Sequence, residues 1–251
     1  MPTFSRFPKV RPSLPGEFAQ IYRAYYKENR EGRSPASSLS QRMESWLHRR
    51  VAGDVRVDPS RKTTLEIGGG TLNHLPYEPD VGPYDVVEPL EDLYDASPWL
   101  GRIRNIYADI SAIPETQTYD RITSIATFEH ICNLPDVVAR AGMLLNPGGR
   151  LRVSIPSEGT VVWTLGWKLT TGLEFRLRHG LDYGLLMRYE HVNTATEIEE
   201  VLRYFFDEID VAVLGLSKTL SLYQFYRCAR PLTEKCHAYL VRECPGPPPG
   251  S

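Results

Sequence analysis

Cysteine is scarce in this chain, and where it stands excludes more than its number does. Cys132, Cys228, Cys236 and Cys244 form no CxxC pair and share no metal-ligand spacing with a histidine. A disulfide scaffold and a zinc ribbon are therefore excluded as organising devices, the thiols read as reduced, and no metal is expected. An excess of charge is missing too: 29 basic residues meet 31 acidic ones, for a net charge of −2. A nucleic-acid partner would call for a basic surface, so none is expected. No apolar run reaches the ~20 residues of a spanning helix, which argues against stable membrane insertion. Residues 1–11 lack the apolar core of a signal peptide, and the expected location is cytoplasmic. There are no internal repeats, and a length of 251 residues fits one domain with decorations.

What is present is concentrated in TLEIGGGTLNHL, residues 64–75. Leu65 and Ile67 belong to a short strand that runs into Gly68, Gly69 and Gly70, with Glu66 two positions ahead. Glycines at a strand end let the backbone turn sharply and approach a ligand, because no Cβ intervenes. Glu88 closes the next strand-like run, YDVVE, at the spacing of an acid that takes a ribose diol. The ligand is then a nucleoside-containing cofactor. A dinucleotide fingerprint would need a third glycine where Asn73 stands and a helix that Pro76 cuts short. No phosphate-binding lysine follows, so a P-loop is excluded as well. An acid–x–Gly–x–Gly strand end with a poor following helix suits a ligand without phosphates, and S-adenosylmethionine is such a ligand. Its amino group would find an acceptor in Glu66 and its ribose one in Glu88.

The remaining pattern alternates strands and helices. NIYADI (residues 105–110) reads as a third strand with Asp109 at its end, and residues 119–131 as a fourth that leads into Phe128, Glu129 and His130. A helix over 134–145 carries Val137, Val138, Ala141, Leu144 and Leu145 on one side, with Pro135 in its first turn. Asn146-Pro147-Gly148-Gly149 is a turn, and RLRVSIP (150–156) alternates as a fifth strand. Thr194 and Glu197 make a capping box for a helix over 194–206. IDVAVLGL and LSLYQFYRCA then read as a closing strand pair.

That order resembles the class I S-adenosylmethionine-dependent methyltransferases over residues 61–156, in their small-molecule or sugar-modifying form. The resemblance implies an α/β fold: a doubly wound, mostly parallel seven-stranded sheet with a closing antiparallel hairpin, an N-terminal helical cap and a lid insertion after the fifth strand. It implies cofactor contacts from Glu66, Gly68, Gly69, Gly70 and Glu88. Asp109 and Ile110 would flank the adenine, and Ala126 and Thr127 would support the methionyl backbone. The helix that the family runs after the glycines is cut short here, between Thr71 and Pro76. Three units are expected: a cap over 1–60, the cofactor-binding domain over 61–230 with the insertion at 157–193, and a tail over 231–251 with a disordered end.

The cap reads as two helices, 17–30 and 38–52, the second with a Ser38/Gln41 capping box. Its bland role is to cover the sheet edge. Its sharper one is to close Tyr22, Tyr25, Tyr26 and Asn29 over the ligands, excluding water from a reactive sulfonium. The insertion at 157–193 exceeds the usual ~4–6 residue connection and leaves the carboxyl edge of a strand, where ligands bind in such sheets. It is expected to begin with a helix over 159–171 and to continue as a polar, aromatic run. Trp163, Arg176, His179, Tyr183, Arg188 and Glu190, with Tyr22 and Tyr26, are the candidate acceptor contacts. Two further readings of the insertion are an oligomerisation arm, which would make the protein a homodimer, and an interfacial helix at a membrane surface.

Methyl transfer is an in-line displacement, so the chief demand is to hold the acceptor atom about 3–3.5 Å from the methyl carbon. A base helps a hydroxyl or amine acceptor. His191, His130 and Glu129 are the candidates, with the pair His179/Asp182 as an alternative. His48 is expected on a solvated helix face, and His74 at the turn after the glycines. The expected reaction is methylation of an O or N atom of a small polar acceptor, a nucleotide-linked or glycan sugar being the preferred class. The alternative is a non-catalytic S-adenosylmethionine-binding protein that acts through a partner interface, and an NAD-dependent oxidoreductase is a distant third.

Overall fold

The structure is a computed structural model and describes residues 4–16, 18, 21, 44–58, 60, 62–79 and 82–243. The expected helix over 17–30, with Tyr22, Tyr25, Tyr26 and Asn29, lies outside or almost outside those residues, as do the Ser38/Gln41 capping box and the tail beyond 243.

Seven strands form one sheet: β1 (Thr64–Ile67), β2 (Tyr84–Val87), β3 (Asn105–Tyr107), β4 (Tyr119–Ile125), β5 (Leu145–Pro156), β6 (Phe206–Gly215) and β7 (Ser221–Pro231). Their order is β3-β2-β1-β4-β5-β7-β6. Pairings are parallel from β3 through β5, and β7 runs antiparallel to both β5 and β6. The doubly wound sheet and closing hairpin read from the sequence are therefore present. The order reverses between β1 and β4, so the crevice beyond their carboxyl ends is the place where such sheets bind ligands.

Helices α1 (Gly53–Val57), α2 (Glu91–Tyr94), α3 (Leu134–Met143), α4 (Val161–Leu169), α5 (Thr171–His179), α6 (Tyr183–Glu190), α7 (Ala195–Phe205) and α8 (Thr233–Glu243) complete the chain with helical residues 44–51. Strand periodicity sorts the two faces of the sheet. Leu65, Ile67, Ile122, Leu151, Val153, Ile155, Tyr226 and Cys228 face one core with Val138 and Ala141 of α3 and Ile198, Leu202 and Phe205 of α7. The other face carries Ile125, Tyr223 and Phe225 against Leu47 and Val51. The capping box of α7 is formed as expected: Thr194 Oγ1 accepts from the Glu197 amide, and Glu197 Oε2 from the Thr194 amide.

The second face also buries charge, which the sequence reading did not anticipate. Arg121, 1% exposed in the middle of β4, donates to both oxygens of Glu78, to both of Asp54 and to the Val51 carbonyl. Arg152 donates to the carbonyls of Arg50 and Val51. His74 Nε2 stands 2.7 Å from Glu78 Oε1, and His74 Nδ1 is 3.0 Å from His48 Nδ1. His48 is thus not solvated: it is buried, stacks on Tyr77 at 4.8 Å, and burial pushes its pKa down to about 3. Neighbouring apolar positions on its helix predicted a free polar face; the turn after the glycines covers that face instead.

The stretch after β5 differs from expectation in kind. Instead of one helix and an irregular run, residues 157–193 hold three helices. Gly180, at φ 70°, ends α5 in the left-handed region that favours glycine, and the Asp182 carboxylate accepts from the Gly184 amide to start α6. Phe175 and Leu186 pack with Phe18 into a small core of their own, so residues before 44 touch this insertion.

Candidate functional site

The carboxyl ends of β1 and β2 build a cradle around the glycines. Gly68 and Gly70 adopt φ values of 78° and 51°. A Cβ on Gly68 would collide with the Thr127 side chain, and one on Gly69 with Val86. Glu88 Oε2 accepts from the Gly70 amide at 2.8 Å and Oε1 from the Leu90 amide at 3.0 Å. A carboxylate offers about four lone-pair sites, so two remain for a ribose diol. Glu66 lies buried under the turn, where its Oε2 accepts from the Tyr84 hydroxyl at 2.9 Å. Burial pushes its pKa up to about 8 against the lowering effect of that hydroxyl. Asp109 caps the 3-10 turn Ile110–Ala112 through the Ser111 amide, with its carboxylate exposed, and the Ile110 side chain belongs to the core. Ala126 sits at φ 47°, uncommon without glycine, and the Thr127 hydroxyl donates to the Ile125 carbonyl. The donors, acceptors and bare backbone at this edge fit an adenosyl ligand; among the described residues, no lysine or helix N-terminus waits there for a pyrophosphate.

Beside the cradle, the end of β4 and the close of the insertion meet in a polar corner. Val192 and Asn193 amides donate to the Glu129 carbonyl, and Asn193 Nδ2 donates to the carbonyls of Phe128 and Ile131 at 2.8 Å each. Arg11 bridges from the chain's first described segment, donating to the carbonyls of His130 and Tyr189. These bonds bring His130 and His191, some sixty residues apart in sequence, to a ring separation of 4.9 Å. His130 Nδ1 lies 3.0 Å from the Glu190 carbonyl and His191 Nδ1 2.7 Å from Glu158 Oε2, which also accepts from Trp163 Nε1. Glu129 is 1% exposed, and its Oε2 has no hydrogen-bond partner among the described residues. Burial pushes the Glu129 pKa up to about 7. Burial alone would lower that of His191, but the Glu158 hydrogen bond and nearby carboxylates outweigh it and raise it.

A cofactor cradle and an acid–imidazole corner thus stand at neighbouring strand ends. A family model for the methyltransferase domain matches residues 36–204. The chain belongs to the methyltransferase domain family. The match extends on both sides of the 61–156 stretch whose motifs carry the resemblance. A comparison with curated proteins finds no match. Among solved structures, the plantazolicin methyltransferase BpumL in complex with a monoazolic desmethylPZN analog and SAH is similar over 85% of this chain and 94% of its own, at 13% identity and a TM-score of 0.59. The N-methyltransferase NodS from Bradyrhizobium japonicum WM9 with S-adenosyl-L-homocysteine is similar over 86% and 100%, at 15% identity and a TM-score of 0.53. A SAM-dependent methyltransferase from Thermotoga maritima aligns over 84% and 95%, at 15% identity and a TM-score of 0.51. At such identities the likeness is one of fold. The cofactor of this methyltransferase is S-adenosylmethionine.

Of the expected acceptor contacts, the fold of this methyltransferase brings Trp163 and the Glu190 backbone into the polar corner, beside the base candidate His191. Tyr183 and His179 instead pack on Phe175, at 5.3 and 4.8 Å, inside the insertion. Arg176 and Arg188 are exposed on α5 and α6. Tyr22 and Tyr26 lie outside the described residues. Sequence reasoning missed Glu158, although it follows the end of β5 on the ligand edge, and Arg11 and Asn193, whose roles are visible only once distant segments meet. A surface cavity of about 410 Å³ lined by Phe4, Tyr204 and Lys235 involves none of the cradle or corner residues.

The glycine turn yields a direct expectation. Gly68→Ala adds a Cβ in the left-handed region, which costs of order 1–3 kcal/mol, and drives it into Thr127. Calorimetry should show S-adenosylhomocysteine binding at least about 10-fold weaker, the equivalent of ~1.4 kcal/mol, with the circular dichroism of the folded protein retained.

Proposed function

We propose that this methyltransferase methylates an oxygen or nitrogen of a small polar acceptor held between the Glu129–His130–His191 corner and the helices α4–α6, which serve as its lid. The observation that carries the reading is the adjacency of two unlike half-sites at the switch point of the sheet. Glu66, Gly68, Gly69 and Gly70 line the methionyl end, Glu88 takes the ribose hydroxyls, Asp109 and Ile110 bound the adenine, and Ala126 and Thr127 close the cradle. Bound there, S-adenosylmethionine supplies a methyl group on a sulfonium, an electrophile that needs only an aligned lone pair. The corner would hold the acceptor atom that supplies that lone pair. Trp163, held by Glu158, offers a flat face for a ring, and His130, His191 and Glu129 offer acceptors for the proton that a hydroxyl or amine gives up. A sugar ring is the acceptor class that an aromatic face beside polar groups fits best, with Arg176 and Arg188 of the lid available to a phosphate or carboxylate on it.

The test begins with binding. S-adenosylmethionine and S-adenosylhomocysteine, each at about 100 times its dissociation constant, should stabilise the protein by about 2.7 kcal/mol, whereas NAD should not. Labelled S-adenosylmethionine should then pass its methyl group to hydroxylated or amino acceptors. Stabilisation by NAD alone, or by none of the three, would sink the reading. Adenosyl binding without transfer to any acceptor, joined to a stable partner complex, would favour a non-catalytic role.

A further inference from the structure

We propose that Glu129, His130 and His191 hold a divalent transition-metal ion, which in turn holds an oxygen of the acceptor. The inference rests on the methyltransferase reading for the second clause but not for the first. One ligand atom from each of the three residues lies within 4.8 Å of the others. Tetrahedral ligands about 2.1 Å from one ion are about 3.4 Å apart, so the side chains need to draw in by at most about 1.4 Å, within reach of rotamer adjustments.

The hydrogen bonds at the back of the two rings set the chemistry. A carbonyl oxygen can only accept, so His130 Nδ1, 3.0 Å from the Glu190 carbonyl, carries a proton. Glu158 Oε2 already accepts from the Trp163 indole, and His191 Nδ1 is the second donor to it at 2.7 Å. In the neutral state each imidazole then has its lone pair on Nε2. Metal-binding histidines nearly always give their other N–H to a carbonyl or carboxylate in this way, which fixes the ring and raises its basicity. The third group is a carboxylate that is 1% exposed, with Oε2 lacking a hydrogen-bond partner among the described residues. Burying such an oxygen without compensation is costly, and a cation at the corner would remove the cost. Glu129 and Glu158 flank the two rings, so the local field favours positive charge.

The ligand set also indicates which ion. Two imidazoles and one carboxylate suit manganese, iron, cobalt or zinc rather than the all-oxygen shells of magnesium and calcium. Three protein ligands leave coordination positions open. An acceptor hydroxyl bound at one of them becomes more acidic and is fixed in place, as water is on catalytic metals. The acceptor atom is accordingly an oxygen. Sequence spacing could not show this site, since His191 enters from the far end of the insertion.

The full-length protein, freed of metal with a chelator, should take up one Co²⁺ per chain, read from its visible d–d absorption, and one Mn²⁺, read from the loss of the free-ion electron paramagnetic resonance signal. His191→Ala should abolish the high-affinity uptake. Glu158→Gln, which removes only the group behind the ring, should weaken it by about 10–100-fold. It remains informative if His191→Ala does not fold. No stoichiometric uptake by the native protein overturns the inference, and so does uptake that neither substitution alters. S-adenosylhomocysteine binding, measured by calorimetry on the same metal-free sample, keeps the two readings apart. Cofactor binding without metal uptake removes the ion and leaves the methyltransferase; metal uptake without cofactor binding does the reverse.

Discussion

An Arg121→Met protein should lose about 3–5 kcal/mol of stability, the usual consequence of taking one partner out of a buried ion network. The guanidinium is 1% exposed and compensates two carboxylates, Glu78 and Asp54, which the substitution would strand beneath helical residues 44–51. Burial raises the Glu78 pKa, but His74 and Arg121 outweigh that and hold it down to about 2, so Glu78 is ionised across the ordinary pH range. Methionine fills much of the space, and the loss is therefore one of charge compensation rather than of volume. At about 2–4 °C per kcal/mol for a domain of this size, the melting temperature should fall by about 6–20 °C. Urea unfolding should show a lower midpoint at an unchanged slope. Adding Glu78→Gln should recover part of the loss, because the two residues share one network and their effects cannot add. An Arg121→Met protein as stable as the parent would mean that the network is hydrated and contributes little.

The second large effect is on binding. Glu88→Ala should weaken S-adenosylhomocysteine by about 100-fold or more. Hydrogen bonds to a charged group are each worth about 1.5–3 kcal/mol, and a ribose diol would make two. The same carboxylate also accepts from the Gly70 and Leu90 amides, so its removal loosens the cradle as well as the ribose contact. Glu88→Gln separates the two contributions: it keeps one acceptor oxygen for the turn and loses the charge, and calorimetry should place it between the parent and Glu88→Ala. Equal affinity in all three proteins would move the ribose away from β2.

These two residues also mark how far the sequence could be read. The place of Glu88 is legible because its message is local: a strand, a glycine turn and an acid at fixed spacing put it beside the turn, where it accepts from the Gly70 amide. The capping box at Thr194 is legible for the same reason, both partners lying within one turn of helix. Arg121 was not, although a guanidinium inside the run YDRITSI is itself a signal that charge is being buried with partners. Those partners, Asp54 and Glu78, come from segments whose approach only the fold decides. His48 failed in the opposite direction, since helical periodicity says which face is polar but not what covers it. The three helices of the insertion carry local signals of their own, Gly180 as a left-handed end and Asp182 as the next cap. The polar corner is half legible. Its residue types were found at both ends, but the hydrogen bonds from Glu158, Asn193 and Arg11 that make it one site span more than thirty residues of chain each.

The fastening of the insertion has a consequence for how such enzymes diversify. At its start, the Ser157 amide donates to the Leu222 carbonyl and the Glu158 carbonyl accepts from the Ala195 amide; at its finish, Asn193 grips the loop after β4. Both ends are therefore welded to the sheet, while Phe175 and Leu186 of the stretch between them pack with Phe18 in a small core apart from that of the sheet. A segment attached in this way can be rewritten, lengthened or exchanged between relatives without re-registering a single strand. On the lid role proposed above, selection for a new acceptor would act on about thirty residues and leave the glycine cradle at the other strand ends untouched.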